Sequence, residues 1–483
     1  MEPEIRIGIL GLGVLKMKYR EIMERMDRLA AQPVKHIPED VMGRVVAEIK
    51  KKTPKSAKMF EAARKVIPGG CEHMLSHTVP HPVFIDRGEG PFLIDVDGNR
   101  YIDYLNGGGP VLLGHNPPAL IERMTEVLKK KGSFHGLCDE YETLAAEKIV
   151  QHMPAVEKVR FLQSGTEADM AAIRLARAYT EKKKIIKFCG TYHGWSDQLV
   201  VDLWVPHSGR FMANGIPESV TGDTVIVPQN DLDALRRAIE ENEKDGGTAA
   251  VLVEPLGGES GTQPLEEGFH KELRKITREN NIVLIFDEVV TGFRVALGGA
   301  QELFGIDPEL TVLGKIMGGC FPSSGALGGK AELMDILNSG IMSGGPSCFV
   351  AGTLAANLFS CAATYFTICE IERTNAIEKA AATTDRLVNE LNVLFEDRNC
   401  PFFAYNYGSI LHVETTGALH IDLTSEDGLA RIFDRKTAVT NHQTFLRNEG
   451  LMTLMGKGFV TSAHGEREIK DTVEAYNRLL DAV

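Results

Sequence analysis

The apolar residues of this chain fall into two patterns. In the middle third they come as short runs, unbroken at 249–253 and 282–286 and mostly apolar at 159–162 and 310–313, with a further strand-like stretch, KIIKF, at 184–188. Between the runs they recur three and four residues apart. Ala172, Leu175, Ala176 and Tyr179 have the spacing i, i+3, i+4 and i+7, and Phe269, Leu273 and Ile276 repeat it within 265–280. Runs of that length bounded by polar residues predict buried strands, and the three-and-four spacing predicts one face of a helix. Strand alternating with helix predicts an α/β domain built on a mostly parallel sheet.

The flanks read differently. Residues 19–31 and 41–52 have the spacing of polar helices, and 1–55 reads as a helical extension. SAKMFEAARKVIPGG, from 56, predicts an amphipathic helix with Met59, Ala62, Ala63 and Val66 on one side, stopped at Pro68-Gly69-Gly70. Two alternating stretches around Asp95 to Gly98 predict a hairpin. From 351 onward long helices alternate with short strands, which predicts a second, smaller domain. The expected order is therefore extension (1–55), N-terminal segment (56–110), large domain (111–350) and small domain (351–483).

Composition narrows the class. The 483 residues are 43% hydrophobic and 25% charged, ordinary values for a globular protein. The net charge of −13 and the lack of a long basic run argue against nucleic acid. Eight scattered cysteines form no C-x-x-C pair, which predicts reduced thiols and a cytoplasmic protein. The early apolar run, 7–15, is too short to span a membrane and follows acidic residues, so neither a signal peptide nor a membrane span is expected. Gly8, Gly11 and Gly13 begin a dinucleotide-type turn, but the next expected glycine is Lys16, and that fingerprint fails.

The candidate chemistry sits where two runs end. The run 282–286 leads into Asp287 and Glu288, and the run 310–313 into Gly314 and Lys315. Carboxyl ends of parallel strands carry the chemistry in α/β folds, and the spacing from Asp287 to Lys315 fits one crossover between neighbours. An amine and an acid at one sheet edge suit pyridoxal phosphate catalysis. The lysine forms a Schiff base with the cofactor aldehyde, and the acid keeps the ring nitrogen protonated. No metal-ligand spacing is evident.

The wording is specific. FDEVVTGFRVALGGAQELFGIDPELTVLGKIMGG resembles the signature of class III aminotransferases, which are fold type I pyridoxal phosphate enzymes, and within them the glutamate-1-semialdehyde aminomutase branch. The resemblance runs over roughly 56–483. It implies a large domain with a mostly parallel seven-stranded sheet plus a smaller α+β domain. It also implies a pyridoxal 5'-phosphate cofactor, and a homodimer with shared active sites. By resemblance Lys315 is the Schiff-base lysine, Asp287 the partner of the pyridine nitrogen, and Val289 the side chain beneath the ring. QSGTEAD resembles the phosphate loop, which assigns Ser164, Gly165 and Thr166. TYHGWSD places Tyr192 on the ring with His193 beside it, and SGGPSCFVAGTLAANLFS gives Thr353 as the residue reaching the neighbouring subunit's phosphate. Glu259 falls where the branch carries asparagine near the phenolic oxygen, and an ionised carboxylate there cannot donate a hydrogen bond.

The substrate side departs from the branch. In GGCEHMLSHT the pocket serine falls on His73 and the carboxylate-binding arginine on Ser76. The pocket tryptophan falls on Gly108, and the gating glutamate on Gly456. These differences favour an aminotransferase acting on an amino-acid donor, of β- or D-/aromatic type, and a keto-acid acceptor. An aminomutase, lyase or racemase on the same scaffold and a non-catalytic homologue stay open. His73, Arg294 and Lys457 are the groups that could meet a carboxylate in place of the arginine, with Arg294 expected in a structural ion pair instead.

Overall fold

The computed structural model describes residues 17–483 apart from 77, 134, 211, 338–347, 422 and 424. The 7–15 run and the failed glycine fingerprint lie outside the described residues. In chain order the strands are β1 (Ile85–Glu89), β2 (Phe92–Asp95), β3 (Arg100–Asp103), β4 (Lys158–Leu162), β5 (Lys184–Phe188) and β6 (Thr224–Val227). They continue with β7 (Thr248–Val253), β8 (Gln263–Pro264), β9 (Val283–Asp287), β10 (Leu310–Gly314) and β11 (Gly325–Gly329). The last four are β12 (Phe403–Tyr407), β13 (Ile410–Glu414), β14 (Leu451–Met452) and β15 (Lys457–Phe459).

The central sheet has seven strands in the order β4-β11-β10-β9-β7-β5-β6. The pairs β10–β9, β9–β7, β7–β5 and β5–β6 are parallel, and β11 runs antiparallel to both of its neighbours. Every residue of β7, β9 and β10 is buried, as strands covered by helices on both faces must be. Each buried Ile, Leu or Val there contributes about 1.5–3 kcal/mol of hydrophobic burial. The helix Phe269–Glu279 joins β7 to β9 and buries Phe269, Leu273 and Ile276 as their spacing predicts. The helix Gly165–Thr180 buries Ala172, Leu175 and Ala176 in the same way. Tyr179 departs from expectation: it is 41% exposed, and its hydroxyl donates to Glu332 Oε1 at 3.1 Å. Its phenol has a polar partner at the helix end, so the ring gains nothing by turning inward.

Two smaller sheets complete the fold, β1-β2-β3-β14 and β12-β13-β15. The expected hairpin is β2–β3, and Asp95 Oδ1 closes its turn by accepting from the backbone N–H groups of Asp97 and Asn99. The helices Tyr19–Ala31 and Glu39–Lys52 read as polar, yet each keeps a buried stripe. Ile22, Met26, Leu29, Val45 and Ile49 share one apolar cluster with Phe395, Tyr405 and Tyr476 from the C-terminal part of the chain. Arg435 ties the first of these helices down by donating from Nη2 to the carbonyls of Ala30 (2.6 Å) and Gln32 (3.1 Å). The helix Pro54–Ala63 begins two residues earlier than its sequence suggests, with Pro54 in its first turn, a position where the missing N–H costs nothing. It ends at Ala63, ahead of the expected stop at Pro68, so Val66 lies beyond it, and the expected apolar side is not covered by the described residues: Met59 is 42% and Val66 81% exposed. Among the described residues no helix is long and apolar enough to cross a membrane.

Candidate active site

The carboxyl ends of β9 and β10 are parallel neighbours, so Asp287 and Lys315 emerge at one edge of the sheet. The two acids at the end of β9 do different work. Glu288 is fully buried and accepts from Thr291 Oγ1, the N–H groups of Ala300 and Gln301, and Gln301 Nε2. It braces the following loop and faces away from the chemistry. Asp287 faces a cavity of about 860 Å³. Its Oδ2 lies 2.7 Å from His193 Nδ1, and its Oδ1 accepts from Val289 N at 3.0 Å. His193 is fully buried, and burial pushes its pKa down, so the neutral ring donates from Nδ1 to the carboxylate.

Lys315 follows Gly314 with a left-handed backbone, φ +47°, and opens a short 3₁₀ turn. A non-glycine residue held there carries about 1–3 kcal/mol of strain, a cost that concentrates at functional sites. Burial holds its amine below the usual lysine range against the pull of the Asp287 carboxylate, and nearby Lys457 adds to the lowering. A lysine whose amine is held below its usual range gives up its proton more readily, which suits it to act as a base.

Ser164 is the N-cap of the helix Gly165–Thr180: its Oγ accepts from Glu167 N at 3.2 Å, while Glu167 Oε2 accepts from Gln163 N at 2.9 Å. The capping hydroxyl is thus already used as an acceptor, and the helix start offers its first N–H groups and its positive dipole end to an anion. The loop is packed without slack. A Cβ at Gly165 would stand 2.7 Å from Val289 Cγ2, and one at Gly194 would stand 2.3 Å from Thr166 Oγ1. The Tyr192 ring stacks on Trp204 at 5.8 Å and 19°. Sequence reasoning missed Trp204. The signal available was that both tryptophans of the chain, Trp195 and Trp204, follow Tyr192 within 12 residues.

The third side of the cavity is acidic. Glu254, just past β7, accepts from the N–H groups of Tyr192 (2.8 Å) and Ser260 (3.0 Å). Its carboxyl is pushed up to about 8, first by burial and then by Glu259 and Asp287. Glu259 and Ser260 both have left-handed backbones, φ +53° and +57°. That turn aims Glu259 at Lys457, whose Nζ donates to Oε2 at 2.6 Å.

Of the ten residues expected at the cofactor, eight line this cavity: Ser164, Gly165, Thr166, Tyr192, Glu259, Asp287, Val289 and Lys315. His193 stands behind Asp287, and Thr353 is exposed and outside it. Of the substrate-side positions, His73, Gly108 and Lys457 line the cavity and Ser76 does not. Leu75 crowds Gly108: its Cδ1 would lie 3.2 Å from a Cβ there. Gly456 has φ +84° and sits against Val413 O, so the charge at this wall comes from the next residue, Lys457. The ion pair expected for Arg294 is not formed. Its guanidinium, fully buried, donates to Gly109 O and to Ser409 Oγ (3.0 Å) and lies 4.8 Å from the Phe459 ring centre. Carbonyl and ring faces hold the cation where an acid was expected, and burial lowers its pKa to about 9.

A seven-stranded α/β sheet with an amine, a carboxylate and a glycine-tight helix start converging at the strand ends defines a fold type I pyridoxal phosphate enzyme. The chain belongs to the class-III aminotransferase family, whose model matches residues 74–454. It is 38% identical over 440 residues to the glutamate-1-semialdehyde 2,1-aminomutase of Ignicoccus hospitalis, covering 89% of this chain and 99% of that protein. It is similar to an omega-transaminase from Sphaerobacter thermophilus (31% identity, TM-score 0.77, 88% of this chain and 97% of that one). It is also similar to a β-phenylalanine aminotransferase from Variovorax paradoxus (27% identity, TM-score 0.79, 92% and 97%). The cofactor of the family is pyridoxal 5'-phosphate, and the residues present fit it. The open helix start suits the phosphate, the Asp287 carboxylate suits a ring cation, and Lys315 faces the space between them.

Proposed function

We propose that the protein moves an amino group on a small carboxylate-bearing substrate, with Lys315 and Asp287 as its catalytic pair. The observation that carries this is the meeting of a lysine of lowered pKa and a histidine-braced carboxylate in one cavity. When bound, pyridoxal phosphate supplies an electron sink for the bond broken next to the amino group. Lys315 would hold the cofactor covalently and then, once displaced, accept and return the substrate proton. Asp287, oriented by His193 Nδ1–H, would keep the ring nitrogen cationic. The Gly165 and Thr166 N–H groups would take the phosphate, with Val289 and Tyr192 bounding the ring. Thr353, exposed in this chain, suits contact with a second copy across a shared site. The substrate carboxylate would dock on Lys457, which Glu259 covers until it arrives.

Between the possible outcomes, the relatives support an intramolecular exchange of the glutamate-1-semialdehyde aminomutase type better than the transamination expected from sequence. A second reading, transfer to an external keto acid, is favoured by the substrate wall, where Leu75 beside Gly108 and the Glu259–Lys457 pair stand at departures from the aminomutase pattern. One labelling experiment separates them. The loaded protein is given an amino substrate carrying ¹⁵N, with and without unlabelled 2-oxo acids. Without an acceptor, label that appears on a different carbon of the same skeleton supports the aminomutase reading. Label that moves only when an acceptor is present supports the transaminase. No turnover of glutamate-1-semialdehyde or of a broad amino-acid panel by protein that has taken up the cofactor would overturn both.

A further inference from the structure

One acid at the cavity floor has no role in the reading above. Asp169 lies one turn into the helix Gly165–Thr180, on a face otherwise made of Ala168, Ala172, Ile173 and Leu175. It is 1% exposed, lines the same cavity as Asp287, and its Oδ1 has no hydrogen-bond partner among the described residues. One ligand-type atom from each of Asp169, His193 and Asp287 lies within 4.8 Å of the other two. Asp287 has both oxygens engaged, one by His193 and one by Val289 N, and neither donor is free to serve Asp169.

An ionised carboxylate buried without a donor is costly, and a second one close to the first costs more. The groups acting on Asp169 come from four directions. Asp287 on β9 and Glu254 past β7 disfavour its charge, while Lys315 past β10 and Lys187 on β5 favour it, and the His193 ring between them is neutral. Burial comes first among these influences, followed by Asp287 and Glu254, and together they push the Asp169 carboxyl well above the usual range. Burial and the two neighbouring acids thus favour the neutral form of the Asp169 carboxyl.

We propose that Asp169 is a positioning residue for the nitrogen end of the cofactor ring: it keeps its own proton until a cation is set against Asp287, and then loses it to solvent. The proposal rests on the assignment of Asp287 to the ring nitrogen. A ring cation there cancels the charge that holds the proton on Asp169, so binding of the ring and release of that proton are linked. No bond other than O–H changes. The consequence is a pH dependence of cofactor affinity that belongs to Asp169 alone.

The test compares apo-protein of wild type and Asp169→Asn, titrated with pyridoxal 5'-phosphate from mildly acid to mildly alkaline pH and followed by absorbance and protein fluorescence. A parallel titration uses the analogue that has C–H in place of the ring nitrogen. Ionisation of the free ligand is common to both proteins and cancels in their ratio. The wild-type to variant affinity ratio for pyridoxal phosphate is expected to rise with pH, by about tenfold for each unit by which the ring cation lowers the Asp169 pKa. With the analogue the ratio stays flat. Should Asp169→Asn fail to fold, as judged by circular dichroism, Asp169→Thr or Asp169→Leu removes the same ionisable group. A flat ratio with tight cofactor binding overturns the proposal alone, and so does a ratio that rises equally with the analogue. Failure of wild type to bind pyridoxal phosphate would overturn the cofactor assignment and the proposal with it.

Discussion

Replacing Lys457 by methionine keeps the length and apolar stem of the side chain and removes the ammonium that the substrate wall presents. In the free site that ammonium is bonded to Glu259 at 2.6 Å, with the two side chains 12% and 20% exposed. A hydrogen bond to a charged group contributes about 1.5–3 kcal/mol when both partners are desolvated. The cavity is open to water and the Glu259 contact must be given up, so the lower half of that range applies to a substrate carboxylate. Each 1.4 kcal/mol is about tenfold, which predicts a fall in kcat/KM of about 10- to 30-fold, carried mainly by KM. The assay is steady-state kinetics with a matched pair of amino donors, one ending in a carboxylate and one with that carboxylate replaced by a methyl ester. The first should lose affinity and the second should not. Glu259→Gln should act in the opposite sense on the acid, because Lys457 then has no internal carboxylate to leave. Equal losses for both donors, or none for either, would refute the assignment of Lys457 to the carboxylate.

Three further outcomes follow from the geometry. Lys315→Ala should fold, by circular dichroism, but lack the visible absorbance band that pyridoxal phosphate gives on binding to wild type; a band that persists would move the covalent lysine elsewhere. Gly194→Ala puts a Cβ 2.3 Å from Thr166 Oγ1 at a residue with φ +81°, so it should cost about 1–3 kcal/mol and weaken phosphate binding, read by thermal melts with and without inorganic phosphate. Glu414 is raised from 4.5 to about 7 by burial alone. The stability its neutral form contributes is complete below the unfolded pKa and is lost as pH rises through 7, so the melting-temperature advantage of Glu414→Gln over wild type should grow between about pH 5 and about pH 8.

What the sequence makes legible is what is local. The strand ends at Asp287 and Lys315 are announced by short, mostly apolar runs, and the crossover between them fits their spacing. The helix start at Ser164 to Thr166 is legible because a cap and its box are separated by three residues. The strand β11, GALGG, is not legible: three of its five residues are glycine, and Ala326 and Leu327 alone form no pattern. It is glycine because the packing leaves no room, with a Cβ at Gly325 falling 2.4 Å from Ser164 O. Glu259 and Lys457 are 198 residues apart, and nothing near either one says that they pair. Arg294 carries the charge of an ion-pairing residue, but the fold surrounds it with a carbonyl, a hydroxyl and a ring.

The two ends of the cavity differ in how freely they can change. The ends proposed to hold the ring nitrogen and the phosphate are built around the strand ends and one helix start of a single sheet, interlocked through Gly165, Gly194 and Gly325 at distances that admit no added methyl group. Changing one of those residues would move backbone, and backbone in a seven-stranded sheet moves only with its neighbours. The substrate end is assembled from loops that leave three different sheets. Gly108 follows β3, the turn at Glu259 lies between β7 and β8, and Lys457 opens β15. Each loop can exchange a side chain without disturbing the others, and the charges there are set by pairs formed across loops. Cofactor chemistry can therefore stay constant on this scaffold while the substrate wall is rewritten. That is why the identity of the cofactor follows from a few consecutive residues, whereas the identity of the amino donor depends on how Lys457, Glu259 and Leu75 meet in space.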